Sequence, residues 1–196
     1  MNPVLCLVTD RHRLGAGWEA ALVERVRTAA RAGVHLVQVR ERDLDGGPLT
    51  RLVSSCVDAV RGTRTRILVN DRLDVARAAG AHGVHLRADS FGARRARASA
   101  PSPFLIGRSV HSLAEAVAAA EEGAVDYLIF GTVYETRSKP GGPVAGVAEL
   151  AAVAAATPLP VLAIGGITHA RIGEVVAAGA SGVAGISMFD TSGRVP

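Results

Sequence analysis

The sequence predicts an α/β fold of one kind, a compact closed (β/α)8 barrel with the eighth helix missing or vestigial. Three observations carry that expectation. Eight short apolar runs alternate with seven longer segments of helical period from one end of the chain to the other, the pattern of repeated βα units on a parallel sheet. Helical segments run into glycine turns, as in AARAGVH (29–35), AAGAHGVH (78–85), EEGAVDY (121–127) and AAGASGVA (177–184), so Gly33, Gly80, Gly123 and Gly179 read as helix C-caps. The 196 residues divide into about 24 per unit, the compact end for eight βα repeats in a single domain over residues 1–196.

The strands are expected at Val4–Thr9, Leu36–Arg40, Ile67–Asn70, Gly83–Leu86, Phe104–Ser109, Tyr127–Gly131, Val161–Ile164 and Gly182–Ile186. Between them Trp18–Ala32, Leu49–Arg61, Leu73–Ala79, Ala93–Ala98, Leu113–Glu121, Val147–Ala156 and His169–Ala178 place Ala-rich faces opposite Arg and Glu, as amphipathic helices do. After the eighth strand only SMFDTSGRVP remains. An uncovered apolar flank between the first and seventh helices is expected there, and a homodimer is the expectation for what covers it.

Composition narrows the function classes. With 48% hydrophobic residues the chain has ample material for a core, which excludes disorder. Cys6 and Cys56 alone make no disulfide framework, no apolar run reaches the roughly 18 residues of a membrane helix, and the start MNPVLCLVTD lacks a leader's charged region and long apolar stretch, so a cytoplasmic protein is expected. The net charge of +4 comes from scattered arginines, and aromatic residues make up only 4%, so no nucleic-acid surface is expected. Of the 22 basic residues 21 are Arg; Lys139 is the single Lys.

In such a barrel the chemistry lies on the loops that follow the strands. Strand two delivers Gln38 and Arg40 to one side of the sheet, and a buried Arg there is costly unless it meets an anionic ligand or an internal carboxylate such as Glu41 or Asp71. Strand three ends in Asn70-Asp71, strand four in His85-Leu86-Arg87-Ala88-Asp89-Ser90, and strand five in Ser109-Val110-His111. His111 stands at the start of a helix, as a general acid/base or as part of a cap. The H-x-x-H pair of His82 and His85 lacks further ligands nearby, so no metal is expected there. The loop after strand six carries Thr136 and Lys139; Gly166 after strand seven and Ser187 after strand eight lie where these barrels bind phosphate.

LCLVTD, VQVRERD, LVNDRLDVARAAGAHGVHL, IGRSVHSLAEA, DYLIFGTVYETRSKPG, LPVLAIGGIT and GASGVAGIS, in this order over essentially the whole chain, resemble the thiamine phosphate synthase superfamily. The resemblance implies one of two activities. Synthases join hydroxymethylpyrimidine diphosphate to a thiazole phosphate with magnesium held by two Asp residues; the TenI-like tautomerases aromatise a carboxythiazole ethyl phosphate by proton shifts. Asp71 matches the first metal Asp, but the synthase pattern H-L-G-Q-x-D has Ser90 at its second Asp, with Asp89 one position away. The synthase R-E-K reads Arg40-Glu41-Arg42, and P-T-x-T-K reads Glu135-Thr136-Arg137-Ser138-Lys139. Those departures, with the match of IGRSVHSLAEAV, imply a thiazole tautomerase: an isomerase with His111 catalytic, Gln38, Arg40, Asn70, Ser109, Thr136, Lys139, Gly166 and Ser187 binding a small phosphorylated thiazole, and no cofactor. The alternatives are a thiamine phosphate synthase with magnesium on Asp71 and Asp89, or a non-catalytic thiazole phosphate-binding protein.

Overall fold

A computed structural model describes residues 2–100, 102–136 and 141–189. Eight parallel strands close on themselves in chain order: β1 Val4–Val8, β2 Leu36–Val39, β3 Arg66–Asn70, β4 Gly83–Leu86, β5 Leu105–Val110, β6 Tyr127–Phe130, β7 Val161–Ile164 and β8 Gly182–Gly185. β8 pairs with β1 from Val4↔Gly182 to Leu7↔Gly185, which completes the ring. Around it lie seven α-helices among the described residues: α1 Trp18–Arg31, α2 Gly46–Ala59, α3 Leu73–Ala78, α4 Ala93–Ser99, α5 Leu113–Glu122, α6 Gly146–Ala156 and α7 Ile172–Ala177. After β8 the chain makes a 3-10 turn at Ser187–Phe189. The expected barrel is thus the observed one, and all four predicted capping glycines have positive φ.

Two boundaries differ for physical reasons. α2 begins at Gly46, three residues ahead of the expected Leu49, with Asp45 extended just before it. Pro48 is accommodated because the N–H groups of a first turn have no intrahelical partner to lose. The expected His169–Ala178 helix starts as a 3-10 turn, His169–Arg171, and only then becomes α7.

Side-chain alternation sorts the core into two regions. Outward-facing strand residues such as Leu7, Val37, Val69, Val84 and Ile106 pack under the helices with Leu22, Val26, Val53 and Val153. Inward-facing Cys6, Val8, Leu68, Tyr127, Ile129, Leu162 and Ala184 fill the barrel. The interior is narrow: a Cβ on Gly107 would come within 2.1 Å of Tyr127 Cζ, so that glycine makes the room the phenol ring occupies.

The floor is tied by one repeated device. The backbone N–H of Leu5 donates to His35 Nδ1 (3.1 Å), that of Ile67 to His82 Nδ1 (3.0 Å) and that of Ile106 to Asp126 Oδ2 (2.6 Å). Each side chain satisfies an amide near the start of a strand, which a buried backbone donor requires. His82 is therefore a structural acceptor at the floor, and burial lowers its pKa, aided by the charge of Arg66.

Candidate active site at the barrel mouth

β2 and β3 carry the first polar layer. Gln38, buried, donates through Nε2 to Asn70 Oδ1 at 2.9 Å, which leaves Gln38 Oε1 as an acceptor and Asn70 Nδ2 as a donor. Beyond Gln38 the chain turns outward. The Arg40 backbone N–H donates to Thr9 Oγ1 (3.0 Å), the Thr9 hydroxyl donates to Glu41 Oε1 (2.5 Å), and the Arg11 backbone N–H donates to Glu41 Oε2 (3.0 Å). Glu41, 3% exposed, thus clamps the loops after β1 and β2 together. Burial pushes its carboxyl above the ordinary value, against the hydrogen bonds from Thr9 and Arg11.

Because Glu41 is committed to this brace, it does not pair with Arg40. No hydrogen bond or ion pair reaches the Arg40 guanidinium among the described residues. Its pKa is lowered by burial first and then by the neighbouring charge of Arg42. Of the two expectations for Arg40, the internal ion pair with Glu41 or Asp71 is not formed among the described residues, and the half-buried guanidinium feels the charges of Asp10 and Glu41 without contact.

A second network runs through β4, β5 and β6. His85, 1% exposed, lies between Tyr127 Oη (3.0 Å from Nδ1) and Ser109 Oγ (2.9 Å from Nε2). Burial pulls its pKa down to about 3, with Asp71 opposing weakly, so the ring is neutral and one ring nitrogen donates while the other accepts. Ser109 is held on this relay. The Gly83-Val84-His85-Leu86 alternation, which sends His85 inward with Gly83, was the signal that could have found it.

Asp71 follows β3 with φ 59, the sole non-glycine positive φ among the described residues, a conformation Asp tolerates better than most. Its backbone N–H continues the ladder to His85 O at 2.9 Å. Its Oδ2 lies 3.0 Å from Arg87 Nε, and Asp89 Oδ1 lies 3.2 Å from the same atom. The strand ends at Leu86, so residues 87–90 form a loop free to turn Asp89 back toward Asp71. Glu41, Arg42, Asn70, Asp71, Arg72 and Arg87 line a cleft of about 170 Å³ at this point.

The other predicted residues are placed as follows. His111 is exposed; its Nδ1 meets the Gly131 carbonyl, and its backbone N–H donates to Glu115 Oε2 at 2.7 Å. Ser112 Oγ accepts from the Glu115 N–H at 3.2 Å, so His111 is fastened into the capping of α5. Gly166, at φ 65, is packed under the β6 loop: a Cβ there would lie 2.4 Å from Glu135 O. Its required smallness thus comes from that loop, and its carbonyl accepts from Arg171 Nη1 (2.8 Å). Ser187 is exposed at the 3-10 turn after β8, and Thr136 is half-buried. Lys139 lies outside the described residues.

The described residues contain no group of three or more His, Cys, Asp or Glu that could hold a metal ion by themselves. They contain no helix long and apolar enough to cross a membrane.

Comparison with known proteins fixes the family and corrects one expectation. The family model described as thiamine monophosphate synthase matches residues 5–189. The thiamine-phosphate synthase of Methanoculleus marisnigri is 43% identical over 192 residues, 97% of this chain and 89% of that protein. A putative thiamine-phosphate synthase of Geobacter sulfurreducens is 45% identical over 185 residues, 93% of this chain and 84% of that protein. Among solved structures, thiamine phosphate pyrophosphorylase from Pyrococcus furiosus superposes with a TM-score of 0.82 at 33% identity, covering 94% of this chain and 85% of that one.

The two sequence relatives bear the synthase name and the solved structure that of a pyrophosphorylase, so the expectation of a tautomerase (isomerase) aromatising a carboxythiazole phosphate is overturned. The expectation had counted Ser90 as the loss of an acid; the loop after β4 brings Asp89 to the same guanidinium nitrogen as Asp71. By sequence over nearly its full length, and by a barrel that superposes on a relative's, the chain belongs to the thiamine monophosphate synthase family.

Proposed function

We propose that this chain is a thiamine-phosphate synthase, a transferase that moves the pyrimidinylmethyl group of hydroxymethylpyrimidine diphosphate to the ring nitrogen of a thiazole phosphate, breaking the C–O bond and releasing diphosphate. The observation that carries the reading is the pair of cations on the β2 loop: Arg40, half-buried and without a partner among the described residues, beside Arg42 at the cleft. A buried cation is costly without compensation, and a diphosphate is the compensation this chemistry supplies.

The residues present fit magnesium. Asp71 and Asp89 approach one cationic atom, so two carboxylates already share a position that positive charge occupies. Magnesium uses one or two carboxylates with substrate phosphate oxygens and water, so this oxygen pair suffices without a third protein acid. Bound there with diphosphate, the metal would neutralise charge on the leaving group. Arg40 and Arg42 hold diphosphate oxygens, since a guanidinium matches them with paired donors. Gln38 and Asn70 offer an acceptor and a donor for the polar edge of the pyrimidine, and Ser109, oriented by His85, supplies a hydroxyl beside them. Thr136, Gly166 and Ser187, on the loops after β6, β7 and β8, form the side that receives the thiazole phosphate. Lys139, from the sequence alone, is the cation assigned to screening the phosphate.

Incubation with hydroxymethylpyrimidine diphosphate, thiazole phosphate and Mg²⁺ is expected to yield thiamine phosphate and diphosphate in equal amounts. Arg40→Gln should lower kcat/KM for the pyrimidine diphosphate by about tenfold or more, the size of a lost charge-assisted contact. Absence of product from the unaltered protein would refute the assignment.

A further inference from the structure

We propose that Arg87 is a diphosphate-binding residue that also acts as resident counter-ion of the acid pair. It holds Asp71 and Asp89 together before the metal arrives, then passes to a diphosphate oxygen when a divalent cation takes the carboxylates. The inference rests on the synthase reading of the site and adds to it a residue of this chain's own. Where the synthase pattern H-L-G-Q-x-D has glycine, this chain has Arg87.

Three observations support it. Arg87 Nε lies 3.0 Å from Asp71 Oδ2 and 3.2 Å from Asp89 Oδ1, yet this buried N–H is aligned with neither as a hydrogen bond. The pairing is charge against charge, without the directional bond that would fix a guanidinium in place. The cleft beside it is lined by Arg42, Arg72 and Arg87 against Glu41 and Asp71. Glu41 is engaged by Thr9 and Arg11, and Arg72 by Asp74 through Nε (2.9 Å) and Nη2 (2.7 Å). Arg87 is thus a cation of this cleft whose pairing would be replaced outright by a metal on its two carboxylates.

The pairing is also weak enough to exchange. The side chains of Arg87 and Asp89 are 40% and 75% exposed, and ion pairs in such surroundings contribute little. With the two acids neutralised by a bound divalent cation, the guanidinium would lose its counter-charge, and a diphosphate in the same cleft would offer it several oxygens. Its planar fork suits that ligand.

Arg87→Gln separates this role from a structural one because the two ligands respond in opposite directions. Mn²⁺ alone, followed by electron paramagnetic resonance, is expected to bind the variant about two- to fivefold more tightly, since a competing positive charge is gone. Inorganic pyrophosphate at saturating Mg²⁺, followed by calorimetry, is expected to bind roughly tenfold more weakly. Arg72→Gln, which removes a cation already paired with Asp74, should change Mn²⁺ binding less. Unchanged or weakened Mn²⁺ binding in Arg87→Gln overturns the counter-ion role, and unchanged pyrophosphate binding overturns the diphosphate role. Failure of the unaltered protein to bind pyrophosphate with Mg²⁺ overturns the synthase reading itself, which distinguishes the two failures. Thermal melts of both variants show whether either result reflects a damaged fold.

Discussion

His85→Gln tests the buried relay through the pH dependence of stability. In the folded protein burial holds the His85 pKa at about 3, whereas an unfolded histidine titrates near 6.5. The folded state therefore binds fewer protons than the unfolded state between those values, and stability rises with pH across that window. The contribution is fully present above about pH 6.5 and is lost as pH falls toward 3, at about 1.4 kcal/mol for each pH unit. Between pH 7.5 and pH 5 the unaltered protein should lose about 2 kcal/mol from this residue. Gln keeps an acceptor and a donor for Tyr127 and Ser109 but has no proton to take up. The variant should be less stable at pH 7.5, where an imperfect relay leaves a buried polar group poorly paired, and the gap should narrow by about 2 kcal/mol at pH 5. Urea unfolding of both proteins at pH 7.5, 6.5 and 5 measures the gap directly. His82, whose pKa is also lowered, contributes to both proteins and cancels in the difference. A gap independent of pH would refute the reasoning and show that His85 takes up its proton in the folded barrel as readily as in the unfolded chain.

Further outcomes follow from packing and burial. Cys6 and Cys56 both have thiol pKa values pushed up to about 12 by burial; neither should react with a thiol reagent at pH 8 in the native state, and both should react in denaturant. Gly107→Ala drives a methyl group into the Tyr127 ring and should cost about 1–3 kcal/mol or more, read as a lowered Tm. Glu41→Ala strips the acceptor from the Thr9 hydroxyl and the Arg11 amide; a loss of about 2–3 kcal/mol is expected from chemical unfolding, and an unchanged midpoint would mean the brace is idle.

The order of the elements and their closure into a barrel were legible in the chain because they rest on local periodicity. Val161–Ile164 and Gly83–Leu86 fall where alternation and flanking turns put them, and Gly123 ends α5 at the position its φ of 66 requires. Gln38, Arg40, Asn70 and Ser109 were legible as mouth residues for the same reason: they sit at strand ends, and strand ends of a closed parallel barrel converge. What the sequence by itself determined was therefore the fold and the strand ends on which a candidate site is built.

Pairings between loops were decided only by the tertiary structure, since a loop has no period from which to read direction. Spacing along the chain set Asp89 one position from its expected place, yet the turn after Leu86 brings it to the nitrogen that also faces Asp71. Likewise Glu41 could have served Arg40 next to it, but the fold gives it Thr9 and the Arg11 amide, and that choice leaves the Arg40 guanidinium without a partner among the described residues. Charge neighbours are set by distance in space, and residues some 30 apart in sequence decide which cation is left for a ligand.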